Sequence, residues 1–313
     1  MISKEVSNLV KSVSCIMIIL HHFLLRTPEI SFWISGFMRG SFGYIFVSVF
    51  FLLSGYGVVE SVARCKTSLA KDLIRRIWKI YKPLLVVNIV MVFVYWMLGP
   101  KDLSLDFIQH YRINDAFVLL GSDKCNVTLT ICYILGIKLI DNALWFVYVL
   151  LILYCILYIS LWSKYRSCFL LFLCMVYFFI LYWLFPEDKY IYASIYAFPL
   201  GCLLSLNKHL ILKYLFFFYL FSFLSLLVSL CIQNNEFFYF AILISLVSII
   251  IFITQLECDF THCKVGDISY EMYLVHIKVF TIMIFLIGVV PFWIYLATTI
   301  IVALGIRRLV RLM

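Results

Sequence analysis

Apolar stretches of eighteen or more residues recur along the whole chain, and short polar segments separate them. An apolar stretch of this length can cross the hydrocarbon core of a bilayer as one helix. The pattern therefore predicts an all-α, polytopic membrane protein with about ten transmembrane helices, forming a single integral membrane domain over residues 1–313. The predicted spans are 10–30, 41–63, 83–98, 142–162, 168–185, 191–206, 214–232, 238–256, 268–287 and 291–306.

Composition supports this assignment, and charge predicts the orientation. The chain is 65% hydrophobic and 13% charged, against about 25% charged in soluble domains. About 17 of the 25 Lys and Arg residues lie in segments that face the cytoplasm if both termini are inside. The net charge of +9 is thus explained without nucleic acid. We predict an N-in, C-in protein of the cell membrane, with a retained first span and a membrane-associated helix in the outside segment 99–141.

The first predicted span carries the stretch KSVSCIMIILHHF, which begins at Lys11 and includes His21 and His22. Lys11 and His22 are eleven residues apart, roughly 20° past three helical turns, so they share one face about 16 Å apart. His21 points about 100° away from His22. A lone membrane histidine often only bonds to a neighbouring helix, but a cation on the same face favours a functional site.

The second predicted span contains FVSVFFLLSGYGVVES at 46–61. Its small residues Ser54, Gly55 and Gly57 permit close approach between helices. Phe50 and Ser54 lie four residues apart and share a face. The stretch is either a tight packing surface or the lining of a passage for a small acyl group. Ser54 is not expected to be a nucleophile, since no elbow motif or adjacent base surrounds it.

A basic loop with helical spacing, KDLIRRIWKIYKP, precedes the third predicted span. We call four of its residues the basic cluster: Arg75, Arg76, Lys79 and Lys82. They either determine topology or form a cytoplasmic anion site for the phosphates of a nucleotide cofactor. No GxxxxGK[ST] or GxGxxG occurs in the sequence, so nucleotide hydrolysis and Rossmann binding are not supported.

The ninth predicted span places three ionisable residues, Glu271, His276 and Lys278, in one apolar helix. Glu271 and Lys278 are seven residues apart on one face and are predicted to pair. His276 is predicted to stack over Tyr273. Three ionisable groups in one span indicate an interior helix that lines a cavity.

The mid-chain stretch DNALWFVYVLL places Asp141 just before the fourth predicted span and Trp145 in its first turn. Trp at such a position usually anchors the helix at the membrane interface. Trp145 is therefore expected to be an anchor, and the resemblance described below also makes it a candidate site residue.

Eleven cysteines are scattered along the chain, mostly within apolar spans, where Cys behaves as a small hydrophobic residue. Cys125 and Cys132 lie in one segment and could pair on an oxidising side of the membrane. Cys258, His262 and Cys263 form half of a metal-binding pattern, and no second pair of ligands completes it. No metal is expected.

Together these stretches resemble the acyltransferase-3 family of integral membrane acyltransferases, bacterial members of which O-acetylate surface carbohydrates. The similarity covers most of the chain, and the motifs occur in the family's order. The matching residues are Lys11 and His22; Phe50, Phe51, Ser54, Gly55 and Tyr56; Arg76 and Lys79; Leu144, Trp145 and Phe146; and Ser269, Tyr270, Tyr273, Leu274 and His276. Lys replaces the more usual Arg at positions 11 and 79, which keeps the charge and loses bidentate phosphate geometry.

The resemblance implies that acetyl-CoA binds from the cytoplasm, with its phosphates at the basic cluster and Lys11 positioning the donor. His22 is implied as general base toward a sugar hydroxyl, or as a transient acyl carrier. The segment from Phe50 to Gly55 would shape the acyl passage, and Glu271, Tyr273 and His276 are further site candidates. The implied acceptor is a cell-surface or lipid-linked carbohydrate. Many relatives carry an SGNH-type domain that is not seen here, so the chain is expected to act alone or with a separate transfer partner.

Three alternatives differ in testable features. A transporter or flippase for a lipid-linked glycan predicts inverted repeats, which the sequence does not show. A glycan polymerase predicts several arginines in a large outer loop, and 99–141 contains only Arg112. Succinyl rather than acetyl transfer stays open.

Overall fold

The computed structural model describes residues 2–30, 42–64, 68–98, 103–122, 126–232, 235–256, 265–288 and 290–313. The described residues are 85% helical and contain no strand, which confirms the all-α prediction. The helices are α1 Lys4–Arg26, α2 Phe42–Arg64, α3 Leu69–Leu98, α4 Leu105–His110, α5 Asp115–Gly121, α6 Val127–Ile134, α7 Trp145–Ser160, α8 Arg166–Leu184, α9 Lys189–Ala193, α10 Ala197–Leu206, α11 Lys208–Lys213, α12 Leu215–Ile232, α13 Asn235–Gln255, α14 Ser269–Ile287 and α15 Phe292–Leu312. The turns Asn142–Leu144 and Val265–Ile268 are 3₁₀ helices that lead into α7 and α14.

Seven helices of the described residues are long and apolar enough to cross a membrane: α1, α2, α3, α7, α8, α14 and α15. Three shorter apolar stretches, Ile191–Leu206, Leu215–Ser229 and Phe240–Gln255, coincide with the other three predicted spans. Since a perpendicular helix needs about 20 residues to cross, the crossing of these three stays a prediction. The protein is thus a multi-pass helical membrane protein, and its N-in, C-in orientation stays a prediction.

The third helix corrects the predicted basic loop. That segment is helical and continuous with the third span, so α3 has 30 residues and is about 45 Å long. Pro83 lies inside the helix, and because proline has no N–H the carbonyl of Lys79 receives no bond from it. The basic cluster therefore lies on the N-terminal turns of a helix that is longer than the hydrocarbon core of a bilayer is thick, which is about 30 Å.

The backbone packs as two compact units, and the single-domain organisation stays a prediction. The first unit comprises Met1–Met17, Gly40–Leu73 and Val149–Asp267, and the second comprises Ile18–Arg39, Ile74–Tyr148 and Ile268–Met313. The continuous helix α1 contributes its first residues to the first unit and its last nine to the second.

Two glycines let α2 and α10 pack closely in the first unit. A Cβ added to Gly55 would lie 2.3 Å from the carbonyl oxygen of Phe198, and one added to Gly201 would lie 2.0 Å from that of Leu52. Both contacts are with backbone, which cannot move aside as a side chain can. Gly57 is open, with nothing within 4 Å of its added Cβ. The close helix approach that small residues permit thus occurs at Gly55 and not at Gly57, and the acyl passage stays a prediction.

The first unit also contains hydrogen-bonded sets of polar side chains. Asp72 at the start of α3 accepts a hydrogen bond from Tyr158 of α7, and both side chains are almost fully buried. Glu60 near the end of α2 accepts bonds from Ser205 at 2.9 Å and Lys208 at 3.1 Å. The bond between Asp72 and Tyr158 satisfies groups that would be costly to bury alone, whereas Glu60 and Lys208 are partly exposed.

The outside segment predicted at 99–141 contains the short helices α4, α5 and α6 in its described part. The side chains of Ser104 and Asn126 accept the bonds that begin α4 and α6. Gly136 has φ +75°, a conformation that favours glycine, and its carbonyl accepts a bond from Tyr148. The segment is thus locally ordered, and its depth in a membrane stays a prediction.

Candidate active site

Two histidines from different helices meet in the second unit. The rings of His22 on α1 and His276 on α14 have centroids 5.1 Å apart and planes inclined at 44°. His276 is fully buried, whereas His22 is partly exposed. His21 is 8% exposed and its ring meets that of His22 edge-on, also at 5.1 Å. Of the three imidazoles, His22 is the one most accessible to a substrate.

Hydrogen bonding assigns the tautomer of His276. Its Nδ1 lies 2.6 Å from the carbonyl oxygen of Tyr273, one turn earlier. A carbonyl oxygen only accepts, so Nδ1 carries the proton and Nε2 carries the lone pair. That Nε2 is buried without a hydrogen-bond partner among the described residues. The rings of His276 and Tyr273 are neighbours, with centroids 5.5 Å apart, but their planes are tilted by 44° and do not stack.

A buried ion pair fixes the helix that carries His276. Lys278 and Asp141 are 0% and 2% exposed and form a salt bridge, and Lys278 also donates to the carbonyl of Leu274 at 2.6 Å. The second carboxylate oxygen of Asp141 accepts the backbone N–H of Ala143 at 2.9 Å. The sequence-based pairing of Lys278 with Glu271 is thus replaced by a pairing with Asp141. Seven residues put the former pair about 10 Å apart along the axis, too far for direct contact.

Two tyrosine hydroxyls add to this fixation. Tyr273 donates to the carbonyl of Ala143, which lies in the turn that begins α7. Tyr295 of α15 donates to the carbonyl of His276 at 3.1 Å. The backbone on both sides of the His276 ring is therefore held by side chains of the second unit.

Arg26, which sequence reasoning missed, lies beside His22. Its Nη1 is 3.4 Å from Nδ1 of His22 and 3.3 Å from the carbonyl oxygen of His22. The residue ends α1 and is only 7% exposed. The available signal was its spacing, since residues four apart on a helix share a face.

Several buried polar atoms of the second unit have no hydrogen-bond partner in the described part of the chain. They are Nε of Arg26, Oδ1 of Asn88, Nδ2 of Asn114, the hydroxyls of Tyr95 and Tyr133, Nε2 of His276 and Oγ1 of Thr281. Arg26 lies close enough to Tyr95 and to His276 for their charges to interact. Because native structures rarely leave such groups unsatisfied, this is a region where a polar ligand would be held.

Aromatic rings border the histidine pair on the side of α15. The ring of Phe23 lies 6.1 Å from Phe280, 5.3 Å from Phe292 and 5.9 Å from Tyr295, centroid to centroid. These rings exclude water from one side of the site. Desolvation strengthens the polar interactions on the other side.

The structure distributes the remaining predicted residues between the two units. Lys11 and the second-span residues Phe50, Phe51, Ser54 and Gly55 belong to the first unit, and the basic cluster, Trp145 and Glu271 belong to the second. Phe51 and Gly55 are buried, whereas Phe50 and Ser54 are partly exposed. Lys11 and His22 can share a face only if the helix between them is unbroken, and α1 is continuous from Lys4 to Arg26.

Trp145 lies near the helix that carries His276, and Glu271 belongs to that helix. Trp145 begins α7, and its ring lies 6.4 Å from that of Phe146. Phe146 in turn lies 5.2 Å from the ring of Tyr273. Glu271 is buried in the first turn of α14. Neither residue has a functional role assigned by these contacts.

Among the described residues, no group of three His, Cys, Asp or Glu side chains is placed to hold a metal ion. The half pattern of Cys258, His262 and Cys263 lies outside the described residues, and so does Cys125 of the predicted disulfide.

The fold and this site define a multi-pass helical membrane protein with a histidine pair inside one of its compact units. The family model described as an acyltransferase domain, acyltransferase-3, matches residues 6–308, nearly the whole chain. The chain belongs to this family and is a membrane acyltransferase. No curated protein and no solved structure matches it.

Proposed function

We propose that the protein is an O-acetyltransferase of the cell membrane that moves an acetyl group from cytoplasmic acetyl-CoA to a hydroxyl of a cell-surface or lipid-linked carbohydrate. The observation that carries this proposal is the partly exposed His22 beside the buried His276. An acyl transfer to a hydroxyl needs a base with a free nitrogen lone pair, and a pair of neutral imidazoles supplies it.

The basic cluster is the proposed binding site for the phosphates of acetyl-CoA. Its four cations lie on consecutive turns of α3, within about 10 Å along the axis. Arg75 and Lys79 are exposed, and Arg76 and Lys82 are partly exposed. Accessible cations at one end of a helix suit a charged donor arriving from the aqueous side. Lys11 is proposed to help to position the donor, and the second-span residues to shape the acyl passage.

His22 is the proposed catalytic residue. The acceptor O–H gives its proton to a nitrogen of His22, and the oxygen attacks the thioester carbonyl. The C–S bond then breaks, and the departing thiolate takes the proton from the imidazolium. In the covalent variant His22 attacks the thioester first, CoA leaves as the thiol, and the sugar hydroxyl displaces the imidazole. Both variants balance without a further reactant.

His276 is proposed to orient His22. Nε2 of His276 has no hydrogen-bond partner among the described residues, so the packing of the two rings, 5.1 Å apart centroid to centroid, is the contact that orients His22. Nη1 of Arg26 can only donate, which places a lone pair of His22 on Nδ1. His22 Nδ1 is then the proton acceptor for the reaction.

The test replaces His22 with Ala in the full chain and measures O-acetyl groups on the cell-surface glycan by NMR, with membrane expression checked in parallel. General base catalysis contributes about 10²–10⁴-fold, so acetylation is expected to fall to background. His21→Ala is the matched control and should retain substantial activity. Retained acetylation in His22→Ala contradicts the proposal. Loss of acetylation in His21→Ala alone would show that His21, and not His22, is the catalytic histidine.

The donor is tested with isolated membranes. Radiolabelled acetyl-CoA should label the glycan, and succinyl-CoA should not compete at equal concentration. A transporter would move a glycan without any transfer of label. Neutralising Lys79 and Lys82 should raise the KM for acetyl-CoA. The rise should be larger at low salt than at high salt, because salt screens exposed charges.

A further inference from the structure

Among the described residues of the second unit two cations are buried, and only one of them is bonded to a carboxylate. Lys278 is paired with Asp141. Arg26 is 7% exposed, and no carboxylate of the described residues lies within salt-bridge distance of it. The carboxylate of Asp141, which is bound to Lys278, interacts with Arg26 only at longer range, so the buried guanidinium has no hydrogen-bonded anion of its own. An anion supplied by a ligand would stabilise it.

The hydrogen bonds that Arg26 does form leave most of its donors available. Both of them use Nη1 and both go to His22, one to the carbonyl oxygen and one to the ring. A guanidinium has five N–H donors in a fork that matches two oxygens of one anion. Its Nε is buried without a partner among the described residues. The bond to a carbonyl of the last helical turn accounts for one donor only.

A second arginine increases the positive potential here. Arg112 lies close enough to both Arg26 and His22 for their charges to interact. It is exposed, and its φ of +49° is the left-handed conformation that ends helix α4, where the N–H of Ile113 bonds to the carbonyl of Ile108. Like charges held together repel each other, and an anion between them removes the repulsion.

This site is distinct from the basic cluster. Arg26 lies near Tyr95, whose charge interacts with it. Tyr95 is thirteen residues beyond Lys82 and twenty beyond Arg75 on the same continuous helix α3. Those separations correspond to about 20–30 Å along the axis, so one phosphate group cannot reach both places.

We propose that Arg26, assisted by Arg112, binds a carboxylate or phosphate group of the acceptor, so that the acceptor of the acyl group is an acidic molecule. The anion is anchored beside Nδ1 of His22, which places a neighbouring hydroxyl at the base. This inference rests on the proposed acyl transfer to a carbohydrate. The carboxylate would come from an acidic sugar, and the phosphate from the link between a saccharide and its lipid carrier.

The experiment measures binding without acetyl-CoA, so that its outcome is independent of the proposed acetyl transfer. The full chain in detergent is titrated with glucuronate, with glucose as the neutral match, and with pyrophosphate at constant ionic strength. Wild-type protein should bind glucuronate or pyrophosphate and not glucose. In R26Q the dissociation constant should rise about ten- to a hundredfold, as expected for losing charge-assisted hydrogen bonds.

R308Q, which changes an exposed arginine of α15, is the matched control and should bind like wild type. R26K keeps the charge without the fork, so it should bind weakly even if R26Q fails to fold. Arg26-dependent binding of glucuronate identifies a sugar carboxylate, and Arg26-dependent binding of pyrophosphate alone identifies the lipid phosphate. Binding of neither anion overturns the proposal. Wild-type affinity in a folded R26K or R26Q also overturns it.

Discussion

Replacing Lys278 with methionine is expected to destabilise the protein strongly, because it leaves Asp141 charged and buried. The two side chains are 0% and 2% exposed, so solvent does not screen the pair. Removing one member of a buried ion pair costs about 3–5 kcal/mol, since the remaining charge keeps its desolvation penalty and loses its partner. At roughly 2 °C per kcal/mol for a chain of this size, the apparent melting temperature should fall by about 6–10 °C.

The double variant K278M/D141N distinguishes the loss of the ion-pair interaction from the cost of leaving one desolvated charge without a partner. It removes both charges, and the Asn oxygen can still accept the N–H of Ala143, the bond that Asp141 forms now. Replacing a whole buried pair is often close to neutral, so the double variant should regain most of the lost stability. A melting temperature as low as the sum of the two single effects would contradict a direct interaction.

The assay is thermal unfolding of the full chain in detergent, followed by tryptophan fluorescence, with remaining acyl transfer measured after heating. Lys71→Met is the matched control, because Lys71 is exposed and its loss should change the melting temperature by less than about 1 °C. A K278M protein that melts with the wild type would refute the reasoning. It would mean that the charge of Asp141 is stabilised without Lys278.

Two further substitutions follow from the packing and from the tautomer of His276. Gly201→Ala should lower the free energy of unfolding by about 1–3 kcal/mol, because its Cβ would lie 2.0 Å from the backbone oxygen of Leu52. Gly57→Ala is the control and should be tolerated, and thermal unfolding compares the two variants. His276→Asn keeps a donor for the carbonyl of Tyr273 and loses the Nε2 lone pair, so acyl transfer should fall about 10–100-fold with little change in melting temperature. Wild-type turnover in a folded His276→Asn would remove His276 from the mechanism.

Much of the site followed from residue types that do not belong in an apolar helix. His22, His276 and Lys278 stand out because ionisable groups are rare in spans, and the order of the motifs indicated the family. Partners were harder to predict, because helical spacing only relates residues of one helix. It assigned Lys278 to Glu271, seven residues away, whereas its partner Asp141 lies 137 residues away in the chain.

Arg26 illustrates the same limit from the other direction. At the end of α1 it reads as an ordinary basic residue that faces the membrane surface. Its burial, its bonds to His22 and its unpartnered Nε depend on helices that are distant in sequence. Likewise, Gly55 was predicted to permit close packing, but its partner helix α10 could not be named from the sequence.

The sequence by itself determined the helical membrane class, most of the helix positions and the family, because hydrophobic length and motif order are local properties of the chain. Only the tertiary structure decided which imidazole accompanies His22, which carboxylate balances Lys278, and that Arg26 has none among the described residues. Those facts depend on contacts between helices, and side-chain periodicity does not encode which helices become neighbours.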